Sequence, residues 1–213
     1  MSFATLDGWP IVEATITLPL VGPWHVDAVV DTEEIPTGLV LVEAPGLSLA
    51  GTVSASSEYG GRVKVRVIAG TGALADVVPA RFFRGVTYEQ IVTETLREIG
   101  ETLAPSPLSG VAVAWVRAKG AVGATLGRVA DLLGLCWGAT DAGDVRLFTP
   151  DWAELEIAEA VTIDLDATVG RALVGSTDLS ARPGKTIDGD RITCVRHVIT
   201  PDVVRTELTT EAP

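Results

Sequence analysis

Apolar and polar residues alternate over most of this chain, and only between residues 85 and 134 does the spacing lengthen to three and four. Alternation marks strands with one wet and one dry face, whereas the longer spacing marks helices with a single apolar stripe. Arg62-Val63-Lys64-Val65-Arg66-Val67 alternates without a break, so its basic residues project opposite its valines. Trp24-His25-Val26-Asp27-Ala28-Val29-Val30-Asp31 follows the same rule less strictly. Turn signals at Gly22-Pro23, Ile35-Pro36-Thr37-Gly38, Pro45-Gly46 and Gly60-Gly61 separate the runs. About five or six short strands, roughly ten residues apart, predict a small barrel or sandwich.

The stretch from 85 to 148 predicts helix, strand, helix and hairpin. Thr87 and Gln90 form the reciprocal capping pair of a first helix running to Gly100. Tyr88, Ile91, Val92, Leu96, Ile99 and Leu103 supply its stripe. After the Pro-broken loop at 104–107 comes the apolar strand Val111-Ala112-Val113-Ala114-Trp115-Val116. The second helix buries Val122, Leu126, Val129, Leu132 and Leu133 and stops at Gly134. A hairpin follows, with its turn at Asp141-Ala142-Gly143-Asp144. Beyond Thr149-Pro150 the alternation returns, ending in two strands joined by Thr200-Pro201-Asp202. Three parts result: an N-terminal β-barrel over 1–84, the helix-strand-helix-hairpin segment over 85–150, and strands over 151–213 that complete a second barrel. The fold class is mainly β with a small α element.

Composition narrows the function. Hydrophobic residues make up 47% of the 213 and mean hydropathy is +0.35, yet no run reaches the roughly 18 apolar residues of a membrane helix. The apolar surplus therefore points to burial against other subunits. The start, Met1-Ser2-Phe3-Ala4, has no basic region ahead of an apolar run, so no secretory signal is expected. A net charge of -12 opposes a surface that grips nucleic acid, because binding there requires Lys and Arg to displace counterions.

No catalytic constellation emerges. Gly184-Lys185-Thr186 lacks the phosphate-loop glycine, since Leu179 stands five residues earlier; it reads as a turn feeding a strand. Asp164 and Asp166 lack the glycine and terminal acid of a calcium loop, at Val169 and Gly175, and read as the wet face of a strand. His25 and His197 sit in strand patterns without a second ligand at metal spacing. Cys136 and Cys194 lie in apolar settings and read as inert thiols without a disulfide. Glu33-Glu34 and Glu154/Glu156 read as solvated charges. No catalytic, cofactor-binding or metal-binding residue is assigned, and no cofactor is expected.

The order of these elements resembles a known family. Gly85-Val86-Thr87-Tyr88-Glu89-Gln90-Ile91-Val92 is similar to a helix start of the baseplate hub proteins of phage tails. Ala121-Val122-Gly123-Ala124-Thr125-Leu126-Gly127-Arg128-Val129-Ala130-Asp131-Leu132-Leu133-Gly134-Leu135 resembles their second helix, which also leads into a hairpin. Relatives include the late-control-D family and the spike of type VI secretion. Arg182-Pro183-Gly184-Lys185-Thr186-Ile187 and Ile192-Thr193-Cys194-Val195-Arg196-His197 are similar to the hubs' Pro-Gly turn and closing strands. The resemblance implies tail-tube-like barrels bracketing the two-helix segment. It also implies a homotrimeric ring in the virion baseplate, made in the host cytoplasm, with no enzymatic activity and no membrane partner. Its partners would be the tail tube or distal tail protein, the central spike and the tape measure protein, with DNA passing through unbound. In such a channel Asp164, Asp166, Glu33 and Glu34 are expected to outnumber basic residues such as Arg62, Lys64 and Arg66. The competing reading is a β-barrel enzyme or small-ligand protein whose site is assembled from distant residues.

Overall fold

The computed structural model describes residues 3–156, 161–166 and 170–212. Six strands form the N-terminal part: β1 (Thr5–Leu6), β2 (Trp9–Pro19), β3 (His25–Val30), β4 (Leu39–Ala44), β5 (Leu47–Tyr59) and β6 (Arg62–Ala69). They pair in the order β1-β4-β5-β6-β3-β2, and β1 returns to β2 through Thr5↔Pro10 and Leu6↔Trp9, which closes the barrel. The alternation in β6 holds: Val63, Val65 and Val67 fill the interior while Arg62, Lys64 and Arg66 face out. Trp24, Val26, Ala28 and Val30 do the same from the neighbouring wall.

The middle segment begins earlier than residue 85. It comprises β7 (Val77–Val78), β8 (Arg81–Thr87), α1 (Tyr88–Arg97), β9 (Val111–Arg117), β10 (Gly120–Ala121), α2 (Val122–Leu133), β11 (Cys136–Ala139) and β12 (Val145–Phe148). Residues 84 and 85 fall inside β8, which pairs antiparallel with β9, and β7 pairs with β10. The first helix starts at Tyr88, directly after its predicted cap, and both halves of the Thr87–Gln90 capping box are made. Gly134 ends α2 in the left-handed conformation, satisfying the last carbonyls. One prediction fails here: Leu132 is 56% exposed, while Thr125 and Ala130 are buried with Val122, Leu126 and Val129. At about 100° per residue Leu132 lies roughly 80° to one side of Val122, beyond Thr125, while Leu126 and Ala130 turn to the other side, so it falls past the edge of the stripe.

The hairpin of β11 and β12 seats this segment on one end of the barrel. Gly22 N–H donates to Trp137 O, Ala50 N–H to Asp141 O, and the Trp24 indole to Thr140 O. A side chain at Gly143 would sit 2.7 Å from the Ala50 carbonyl, so the close approach requires glycine there. Glu101 completes the seat: its carboxylate accepts from both the amide and the hydroxyl of Thr71 on the barrel.

The C-terminal part contributes β13 (Val161–Asp166), β14 (Arg171–Gly175), β15 (Thr186–Ile187), β16 (Asp190–Ile199) and β17 (Val204–Glu211). These strands do not stand apart as a second closed barrel among the described residues. Instead β16 pairs with β2 from Cys194↔Pro19 to Ile199↔Ala14, and β17, β14 and β13 extend the same eleven-stranded sheet. The reason is a vacant edge: β1 occupies β2 only at Trp9 and Pro10, leaving its C-terminal half to be paired by another strand. One continuous apolar cluster therefore joins Ile16 and Leu18 to Val195, Leu179 and Leu208.

Leu126 and Val129 are fully buried in the cluster between the helices and β12. Leu126→Ala or Val129→Ala is expected to lower unfolding free energy by about 2–4 kcal/mol, read from denaturant midpoints. Leu132→Ala is expected to shift the same midpoint by less than about 0.5 kcal/mol.

Candidate functional site

The polar groups singled out in the sequence are scattered, and most already have structural work. Lys185 meets the Asp151 carboxylate at 2.6 Å, and the Thr186 hydroxyl donates to Glu154 at 2.9 Å. The Gly184-Lys185-Thr186 stretch is thus a turn whose cation is neutralised, feeding β15. Glu154 also accepts from the Asp188 amide. Glu33, Glu34 and Glu156 are exposed, while the side chains of Asp164 and Asp166 lie outside the described residues. Cys136 and Cys194 are half-buried and free, and burial pushes both thiols up from their ordinary values. Among the described residues no group of three or more His, Cys, Asp or Glu side chains is placed to hold a metal.

The two histidines differ. His25 is half-buried on the outer wall beside Asp27; burial lowers its pKa and the Asp27 charge opposes the shift. His197 is fully buried on the inner face of β16, where Nδ1 lies 2.8 Å from the Thr206 hydroxyl. Its Nε2 is buried without a hydrogen-bond partner. Burial foremost, and then the Arg182 charge, lowers its pKa to about 4. A neutral imidazole buried between the barrel wall and the loop ahead of β15 packs as a core group.

Two features of the middle segment left no mark in the pattern. Arg117 has a completely buried side chain, donating to Thr95 Oγ1 at 3.0 Å, to Pro79 O at 3.0 Å and to both oxygens of Glu98. That fork pins β9 and the β7–β8 connection to α1, and Arg81 extends it to Glu94 and Glu98. A single Arg after an apolar strand gives no sign that it will be the buried charge.

The second feature is surface. β8 and β9 form a two-stranded ribbon from which Phe83, Ala112 and Trp115 cluster with Ile91 of α1. Apolar side chains are left open on both of its faces: Phe82, 62% exposed, and its partner Val116 on one, and Val111 and Val113, which alternate in step with Trp115, on the other. A second open feature is the distal half of β5, residues 54–59, which pairs with β6 alone because β4 ends its pairing at Thr52. The outer wall of β2, β3 and β6 is nearly neutral. Arg66 forms a bidentate pair with Asp27, whose carboxyl it holds below the usual range, and Arg62 pairs with Asp31. Glu13 and Lys64 line the shallow depression beside them.

These open surfaces, more than any enclosed pocket, are what the molecule offers a partner. Several solved structures superpose on nearly the whole chain. The 43 kDa tail protein of prophage MuSo2 from Shewanella oneidensis superposes with a TM-score of 0.75 at 11% identity, over 100% of this chain and 97% of that one. An E. coli component of the type VI secretion system, itself described as structurally similar to T4 bacteriophage tail proteins gp27 and gp5, gives 0.71 at 11% identity, over 99% and 76%. The tail protein from Neisseria meningitidis MC58 gives 0.70 at 12% identity, over 98% and 96%. No protein-family model matches the sequence, and no curated protein matches it. At these identities the likeness is one of fold: a closed six-strand barrel with two helices, shared with phage tail proteins and a type VI secretion component.

Two measurements check the structural roles. Below pH 6.5 the unfolded chain protonates His197 while the folded chain stays neutral down to about pH 4. Folding is therefore expected to weaken by up to about 3 kcal/mol across that window as pH falls, and His197→Gln to flatten the slope. Glu98→Ala strands the Arg117 charge and is expected to cost about 3–5 kcal/mol. Arg81→Ala, removing a half-exposed partner, costs under about 1 kcal/mol in the same denaturation assay.

Proposed function

We propose that this chain is a structural component of a phage tail: a baseplate hub ring that joins the tail tube to the central spike and forms part of the DNA channel. The observation that carries the reading is the match of the entire chain, barrel, helices and C-terminal sheet, to tail and type VI secretion proteins. It acts without catalysis or cofactor, in the virion. Its partners are copies of itself in a homotrimer, the tail tube or distal tail protein, the spike and the tape measure protein.

The physical features support a subunit that lives among neighbours. The barrel leaves residues 54–59 of β5 unpaired along one edge, and unpaired strand edges are surfaces that natural proteins cover. The exposed ribbon adds an apolar face of the kind that marks protein contacts. Charge fits a conduit. Among the described residues Glu101 is the only buried carboxylate, so the other described acids of this acid-rich chain reach the surface. The basic row of β6 is offset by Asp27, Asp31 and Glu13, so that wall offers phosphate no net positive groove. A bore of net negative charge lets DNA slide without sticking.

Light scattering on the purified protein is expected to give a mass near three times 22.2 kDa. The assembled protein is expected to leave the migration of double-stranded DNA unchanged at low salt, where electrostatic binding is strongest. A monomer at all concentrations would contradict the ring, and retarded DNA would contradict the bore.

A further inference from the structure

We propose that the open face of the β8–β9 ribbon is the socket for a second copy of this chain, and that the plug is the acidic loop at residues 31–38 with the start of β4. This rests on the ring reading above and assigns the surfaces that make it.

The ribbon combines exposed apolar side chains with basic groups. Cross-strand partners Phe82 and Val116 stand side by side on one face, at 62% and 58% exposure, and Val113 on the other is 81% exposed. Arg84, opposite Ala114, projects from the middle of the ribbon, and Lys119 follows its end. Neither forms an ion pair among the described residues, as is also true of Lys64, Arg97, Arg128, Arg146 and Arg191. Between residues 77 and 134 there are six basic and five acidic residues, whereas the chain as a whole stands at -12. The apolar face is thus framed by cations that lack counter-charges, on a protein otherwise rich in acid.

The loop at 31–38 has the complementary character. Glu33 and Glu34 are exposed and make no ion pair among the described residues, and the loop holds no basic residue. Beside them Ile35 is 49% exposed and Leu39, the first residue of β4, is 73% exposed. An apolar pair flanked by two unpaired carboxylates matches an apolar ribbon flanked by two unpaired cations.

The occupant is a second copy for two reasons. Ribbon against ribbon would bring Arg84 and Lys119 toward their own images, and like charges disfavour that twofold contact. Glu33 and Glu34 also follow Val30 at the end of β3, whereas the middle segment is seated beside Trp24 at the start of that strand. One molecule's loop therefore reaches another molecule's ribbon, which gives a head-to-tail contact that repeats and closes into a ring. Glu33 and Glu34 then lie at the seam between subunits, and other exposed carboxylates supply the charge of the bore.

Charge exchange in the full chain tests this, read by light-scattering mass with a thermal melt as the folding control. Arg84→Glu with Lys119→Glu, and separately Glu33→Lys with Glu34→Lys, are each expected to reduce the mass to that of one chain. The four substitutions together are expected to restore the assembly, because the signs match again. Val116→Glu, on the face of Phe82 and Arg84 and outside the apolar clusters, is expected to dissociate it irrecoverably. A wild-type monomer would overturn both the ring and this contact. A wild-type ring whose mass survives all three variants would overturn this contact and leave the ring standing. Dissociation by each pair without restoration by the four would overturn the pairing of ribbon with loop.

Discussion

The structure depends on β2, which must satisfy hydrogen bonds along both edges with three different strands. One edge belongs to β3, and the other is divided between β1 near Trp9 and β16 from Ala14 onward. Backbone groups left unpaired inside a core cost as much as lost hydrogen bonds, so the divided edge forces the C-terminal strands onto the barrel. Every larger feature follows. The barrel closes at one end through β1, opens into an extended sheet at the other, and encloses one apolar core instead of two.

The middle segment is fastened to that frame by specific groups, not by bulk burial alone. The hairpin tip brings backbone to backbone at Gly22, Ala50 and Gly143, and Glu101 holds the turn after β6. Within the segment the buried Arg117 fork fixes β9 against α1, which leaves the opposite face of the ribbon turned outward. A rigid mount for an exposed apolar face is what an assembling subunit requires, because a mobile one would lose ordering entropy on contact. Packing energetics thus connect directly to the proposed role in a ring.

Local signals were legible in the sequence and long-range choices were not. The capping box at Thr87 and Gln90, the glycine stop at Gly134 and the alternation of β6 each concern neighbours within a few residues, and all three hold. The strand at 111–117 was legible as a strand, but its apolar outer residues gave no clue that they would face solvent in an isolated chain. Buried Arg117 and Glu101 were hidden because their partners come from distant segments. The union of the C-terminal strands with β2 was hidden likewise, since periodicity says which face is dry and not which strand lies alongside. The resemblance of the two helix sequences to hub proteins pointed to the fold because it carried the order of elements, information that residue spacing lacks.

The most direct test of the central claim is a cryo-electron microscopy map of the tail particle that contains this chain. The account predicts copies arranged in a closed ring around an open bore at the tail tip, with each β8–β9 ribbon covered by the next copy. A particle in which the chain is absent from the tail axis, or stands alone with that ribbon in solvent, would contradict it.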